Sequence, residues 1–99
     1  MLVLADYLSI GREHAKTGKD LAYMLNCDPR QISLQIEAER RAGKPICATC
    51  DAAQPGYYLA ATADELQKYC DRLHKRAGEI YKTRRALLKT ADEMRQQEA

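Results

Sequence analysis

Four cysteines are the first candidates for metal or redox chemistry in this chain. Cys47 and Cys50 form a single C-x-x-C pair, and Cys27 and Cys70 lie far from it in sequence. Two such pairs would indicate zinc, whereas one pair does not, and the elements expected to hold Cys27 and Cys70 do not favour convergence. Zinc or redox sensing through Cys47 and Cys50 is therefore the less favoured hypothesis, and no cofactor is expected. Cys27 and Cys70 are interpreted as small buried hydrophobes.

Residues that could carry out catalysis are scattered along the chain. His14 and His74 have no nearby cysteine or paired carboxylate, and both are expected at the surface. The sequence contains no glycine loop of the kind that binds phosphates and no nucleophile elbow. We therefore expect neither an enzyme activity nor a small-molecule substrate.

Polar side chains after residue 28 suit nucleic-acid chemistry better. Asp28-Pro29 is a helix start signal, and Ile32 and Ile36 lie one turn apart, so a narrow edge of this helix should be buried. The other faces carry Arg, Gln and Ser, which can donate to base edges or phosphates, together with Glu37 and Glu39. The sequence thus predicts an exposed polar helix face able to enter a major groove.

Two further helices are predicted to position this face. Residues 1–9 carry Leu4, Ala5 and Leu8 on one side and end before Gly11, and Thr17 caps a helix that continues through Leu21, Ala22 and Leu25. A capped helix, a short turn and a second capped helix have the rhythm of a helix-turn-helix.

The second half is predicted to contain a hairpin and one long helix. Two β-prone runs, 45–49 and 55–60, flank a polar turn, and a capping box at Thr62 begins a helix that runs to about Gln97. The expected fold class is mainly α with a small β-hairpin (α+β).

These elements together resemble the winged helix-turn-helix family typified by the N-terminal DNA-binding domain of the biotin operon repressor, and small bacterial and phage proteins of that type. The resemblance covers about residues 1–60. It rests on Leu21-Ala22, Ile32, Ile36, Arg40, Gly43 and Pro45-Ile46, and above all on Gly56-Tyr57-Tyr58-Leu59. It implies a winged helix-turn-helix domain over 1–61, followed by the long C-terminal helix over 62–97.

The resemblance implies a transcriptional regulator that binds specific double-stranded DNA sequences with its second paired helix and its hairpin wing, and the C-terminal helix is expected to make it a homodimer. The wing corresponds to about Cys50 to Pro55. The candidate DNA-contacting residues are Lys19, Arg30, Gln31, Ser33, Leu34, Gln35, Arg40, Arg41, Lys44 and Gln54. The wing contains Asp51 and no Lys or Arg, and acidic groups that face phosphates weaken binding. This departure leaves open an alternative, a winged-helix adaptor that binds protein and has little affinity for DNA.

The long helix carries a coiled-coil pattern. Leu66, Leu73, Ile80, Leu87 and Met94 recur every seven residues, and Cys70, Ala77, Arg84 and Ala91 follow the first four of them by four residues. A helix of this length spans roughly 50 Å, too long for one small domain to cover. We therefore expect the nine positions to form a homodimer seam, with strand orientation left open.

Net charge and hydropathy limit the kinds of partner that the chain is expected to have. The net charge is +2, and residues 1–60 hold seven Lys/Arg and seven Asp/Glu, so DNA binding must depend on local placement of charge. No apolar run is long enough for a membrane span, and no signal peptide is recognisable, so a cytoplasmic protein without a membrane partner is expected.

Overall fold

The computed structural model describes residues 3–49 and 53–98. The described elements, in order, are 3₁₀ turns at Leu4–Tyr7 and Arg12–His14, α1 (Gly18–Leu25), α2 (Pro29–Arg41), β1 (Ile46–Thr49), β2 (Gly56–Leu59) and α3 (Ala63–Glu98). A mainly helical chain with one antiparallel hairpin and a long C-terminal helix confirms the predicted α+β class. The chain divides into two compact units, Met1–Gln67 and Lys68–Ala99.

Side-chain caps fix the start of α1 and of α2. Thr17 Oγ1 accepts the Asp20 N–H at 3.0 Å. Asp28 Oδ1 accepts the Arg30 N–H at 2.9 Å, and Pro29 occupies the first helical turn of α2. Asn26 ends α1 in the left-handed conformation, with φ of 51°, which turns the chain within three residues. Both predicted helix starts are thereby confirmed.

The first unit has one hydrophobic core beneath α1 and α2. Leu21 and Ala22 from α1 meet Ile32 and Ile36 from α2, and Ile46 of β1 joins them. The buried set also includes Leu4, Ala5 and Leu8 from the N-terminal segment. Packing α2 through its isoleucine edge leaves the opposite side of that helix in solvent.

The hairpin is joined by a third segment that the sequence analysis did not anticipate. β1 and β2 pair antiparallel, with Ile46 opposite Leu59. On the other edge of β2, Lys16 and Tyr57 exchange two backbone hydrogen bonds of 2.9 and 2.7 Å. Gly56, at φ of 128°, makes this approach possible because a Cβ there would overlap the backbone of Lys16.

The prediction of a helix over residues 1–9 is corrected by the structure. Within residues 3–9, which the structure describes, only Leu4–Tyr7 is helical, as a short 3₁₀ turn, and Leu8 already has extended backbone angles. Leu4, Ala5 and Leu8 are nevertheless all buried, so the hydrophobic pattern identified the core residues while assigning them the wrong local structure.

Glu39 was expected on an exposed polar face, and the structure corrects this. Its side chain is only 6% exposed. The two carboxylate oxygens accept the backbone N–H groups of Leu4 at 2.6 Å and Ala5 at 2.8 Å, and Gln35 Nε2 donates to one of them at 2.7 Å. The carboxylate therefore caps the N-terminal 3₁₀ turn from α2, 34 or more positions away.

The hydrogen bonds also set the protonation of this carboxyl. Burial by itself would raise the pKa of Glu39. The donors Gln35, Ala5 and Leu4 and the positive charge of Lys44 together outweigh burial, so the pKa lies below its ordinary value of 4.5. The ionised form is thus the one that holds the N-terminal segment.

The second unit, Lys68–Ala99, contains most of α3, which ends at Glu98. The start of α3 is capped as predicted, because Thr62 Oγ1 accepts the Glu65 N–H at 3.1 Å and Glu65 accepts the Ala61 N–H at 3.1 Å. Two exposed ion pairs, Glu79–Lys82 and Asp92–Arg95, each join residues three positions apart on the helix.

Replacing Glu39 by glutamine is expected to lower the free energy of unfolding at neutral pH by about 1–3 kcal/mol, because the two backbone donors lose a charged acceptor. Urea unfolding measures this. Since the folded pKa is lowered, the contribution of Glu39 is present above the ordinary value of 4.5 and is lost as the pH falls below it through the folded pKa. The Glu39→Gln variant should therefore lose less stability over that interval than the wild type.

Glu37→Gln is the matched control for this experiment. It makes the same change two residues away on the same helix, at an exposed position. Its unfolding free energy should change by less than about 0.5 kcal/mol. Equal effects of the two substitutions would contradict the role assigned to Glu39.

Candidate nucleic-acid interface

The outer face of α2 lies opposite the edge that packs on the core. Residues on an α-helix advance by 100°, so positions 30, 34, 37 and 41 share one side, opposite Ile32 and Ile36. All of them are exposed, as is the adjacent Ser33, and Leu34 is 71% exposed. The outer face consists of these five residues: Arg30, Ser33, Leu34, Glu37 and Arg41.

The chemistry of the outer face suits a DNA groove. Arg30, in the first turn of α2, can donate two hydrogen bonds to a guanine edge, and Ser33 can donate to bases or phosphates. Leu34 offers apolar contact for a thymine methyl group. Arg41 Nε lies 3.8 Å from Glu37 Oε1, but both side chains are more than half exposed, so this pair is weak and Arg41 can reach another anion.

Two glutamines of the predicted set have other partners. Gln35 is half-buried and donates to Glu39, which corrects the expectation that it lies on the DNA-facing side. Gln31 is exposed, and its Oε1 accepts the Asp28 N–H at 3.1 Å, completing the capping box of α2. The amide oxygen of Gln31 therefore stabilises the helix start, which leaves its NH₂ group as the part available to a base.

Arg40 and Gln54 are also used inside the fold. Arg40 Nε donates to the Ile46 carbonyl oxygen at 2.9 Å, and its guanidinium lies 5.9 Å from the centre of the Tyr57 ring. Gln54 Nε2 donates to the Ala15 carbonyl oxygen at 3.1 Å. Both residues therefore tie the hairpin to neighbouring segments, and their contacts with DNA stay predictions for the N–H groups that these bonds do not use.

The remaining basic candidates are available in solvent. Lys19 lies in the first turn of α1 and lines an open depression with Lys16, Asp20, Tyr23 and Met24. Lys44 follows the C-terminal end of α2 and is exposed. Lys19 and Lys44 stay candidates for phosphate contacts.

The tip of the predicted wing lies outside the described residues. Cys50, Asp51 and Ala52 belong to this part, so the second cysteine of the C-x-x-C pair and the start of the wing loop fall there. Of the predicted wing, Ala53, Gln54 and Pro55 are described, and all three are exposed.

The described cysteines occupy different environments. Cys47 is fully buried in β1, Cys27 is half-buried in the turn between α1 and α2, and Cys70 is exposed on α3. The interpretation of Cys70 as a buried hydrophobe is thus wrong for the single chain. Within residues 3–49 and 53–98, no three His, Cys, Asp or Glu side chains are grouped so that they could hold a metal ion. His14 and His74 are exposed, as predicted.

The hydropathy of the helices bears on membrane insertion. Across the part of the chain that the structure describes, no helix has the length and the apolar character needed to cross a bilayer.

Comparison with protein-family models, with curated proteins and with solved structures finds no match for this chain. The assignment of function must therefore come from the site itself.

Arg40 stabilises the fold, whereas the neighbouring Arg41 is exposed, and stability measurements can test this difference. Arg40→Ala should lower the free energy of unfolding by about 1.5–3 kcal/mol, because it removes a charged donor from a half-buried carbonyl. Arg41→Ala should change it by less than about 0.5 kcal/mol, because Arg41 is exposed and weakly paired. Chemical denaturation of both variants measures the difference, and an unfolding free energy that is insensitive to Arg40 would contradict its structural role.

Proposed function

We propose that this protein binds specific sequences of double-stranded DNA as a homodimeric transcriptional regulator in the bacterial cytoplasm, of the winged helix-turn-helix type found in bacteria and phages. The observation that carries the proposal is the exposed outer face of α2. It presents two arginines, a serine and a leucine together with Glu37, and the capped turn before it and the hairpin after it are both anchored to the same core.

The geometry of α2 supports insertion into a major groove. The helix has 13 residues and is about 20 Å long, and the diameter of an α-helix with its side chains, about 10–12 Å, suits a groove of about 12 Å in width. Arg30 lies in the first turn and Arg41 is the last residue, so a helix lying along the groove would bring one guanidinium near base edges and the other near the backbone.

Dimerisation would supply the affinity for DNA that the balanced charge of the N-terminal half does not provide. Residues 1–60 carry equal numbers of basic and acidic side chains, so a single copy lacks a strong field for DNA. Two linked copies raise the effective concentration of the second site and impose a two-fold symmetric target. The exposed apolar residues of the seam, Leu73, Ile80, Leu87 and Met94, are 41–64% exposed in the single chain and favour a second copy there.

Substitution of Arg30 tests the proposal directly. Fluorescence anisotropy with genomic fragments from an enrichment experiment should show Arg30→Ala weakening specific binding by about 5- to 150-fold, the loss expected for one bidentate base contact. Wild-type affinity should also fall steeply as salt rises from about 50 to 200 mM, because phosphate contacts release counterions.

Lys89→Ala is the control for net charge. It removes one positive charge from an exposed position on α3 and should leave specific binding within about twofold. Absence of any complex with duplex DNA at low salt, or equal losses from Arg30→Ala and Lys89→Ala, would contradict the proposal.

A second candidate function is a winged-helix adaptor that docks protein and binds DNA poorly. It is favoured by the exposure of apolar side chains on the helix pair, 71% for Leu34 and 90% for Tyr23, and by Glu37 in the middle of the outer face. A photoreactive amino acid at Leu34, incorporated in cells, separates the two functions.

The adaptor function predicts one dominant protein adduct from position 34 that is absent from a control probe at exposed Lys89. The DNA-binding function predicts no dominant protein adduct from position 34. It also predicts that Leu34→Ala weakens specific DNA binding.

A further inference from the structure

The seam of α3 alternates between large and small side chains. The residues spaced by seven, Leu73, Ile80, Leu87 and Met94, are large, apolar and exposed. The seam residues that precede each of them, Cys70, Ala77, Arg84 and Ala91, are small except for Arg84. This alternation constrains how a second copy can pair with the helix.

Parallel pairing would place each seam residue opposite itself. The small layers would then join Ala77 to Ala77 and Ala91 to Ala91, and the large layers would join leucine to leucine, so the spacing between helices would suit only every second layer. Arg84 would also face Arg84 of the second copy, which brings two like charges together at the centre of the seam.

Antiparallel pairing removes the mismatch in layer size and moves the two Arg84 side chains into separate layers, about 6 Å apart along the axis. In that orientation each large position faces a small position of the second copy. One register, centred on Lys82, uses the whole seam of the second unit: Cys70 lies opposite Met94, Leu73 opposite Ala91, Ala77 opposite Leu87, and Ile80 opposite Arg84. Every layer then has one large and one small partner, except the central one, where the Arg84 stem can lie along Ile80.

Flanking side chains are compatible with this register. Tyr81 comes next to Tyr81 of the second copy at the two-fold axis, and Leu88 comes next to His74. Tyr81 and Leu88 are 63% and 45% exposed in the single chain, so pairing would cover apolar surface beside the seam as well.

We infer that α3 is an antiparallel dimerisation surface whose partner is a second copy of this chain, in the register centred on Lys82. The inference deepens the dimer component of the proposed function and does not depend on DNA binding. In the antiparallel pair the two α3 start points, Ala63, are about 57 Å apart along the axis, whereas a parallel pair would place them side by side.

Thiol cross-linking of the full chain tests the orientation. In the proposed register, Cys70 lies next to position 94 of the second copy, and the two Cys70 residues are about 36 Å apart. The Met94→Cys variant, treated with a short bis-maleimide, should give a covalent dimer in which peptide mass spectrometry finds Cys70 linked to the thiol introduced at position 94. This link must be intermolecular, because positions 70 and 94 of one helix are also about 36 Å apart.

The controls are the wild type and the double variant Cys70→Ser/Met94→Cys, neither of which should give a link through position 70 or 94. Sedimentation equilibrium of the untreated protein should give twice the chain mass of 11.2 kDa. A link between the two Cys70 residues, or between the two thiols introduced at position 94, would overturn the antiparallel arrangement, and a monomer or a trimer in solution would overturn the dimer. Because no DNA is present, these outcomes are separate from a failure of DNA binding.

Discussion

The contact between the Glu39 carboxylate and the N-terminal backbone is the constraint on which the first unit depends. The Glu39 carboxylate of α2 accepts hydrogen bonds from the N–H groups of Leu4 and Ala5, and Gln35 donates a further hydrogen bond to it. A buried, ionised carboxylate without these donors would destabilise the fold, so α2 must present this side to the N-terminal segment. The same choice fixes the rotation of α2 about its axis and leaves its outer face in solvent.

The proposed function depends on the side chains that neither pack in the core nor make its hydrogen bonds. The side chains of Gln35, Arg40 and Gln54 are hydrogen-bonded within the fold, whereas those of the outer face of α2 point into solvent. What is left is a narrow stripe with Arg30 at one end and Arg41 at the other, on a domain without a strong overall field. Such a stripe supplies specificity more readily than affinity, and this makes a symmetric dimer part of the proposed mechanism.

Local signals predicted the helices and the hairpin well, because caps and periodicity are encoded within a few residues. Thr17, Asp28 and Thr62 mark helix starts that the structure confirms. The long-range contacts were not predictable in this way. Nothing near Glu39 in the sequence indicates that its partners are Leu4 and Ala5, and the pairing of residues 9–16 with β2 depends on tertiary approach. Polar residues of the site were therefore harder to place than apolar ones.

The central claim is that the outer face of α2 meets DNA while the inward edge stays in the core. Backbone amide NMR of the ¹⁵N-labelled protein, titrated with its enriched duplex, tests it most directly. The account predicts the largest shift changes at Arg30, Ser33, Leu34 and Arg41, with small changes at Ile36 and in the second unit. Shift changes concentrated on α3, or none at saturating duplex, would contradict it.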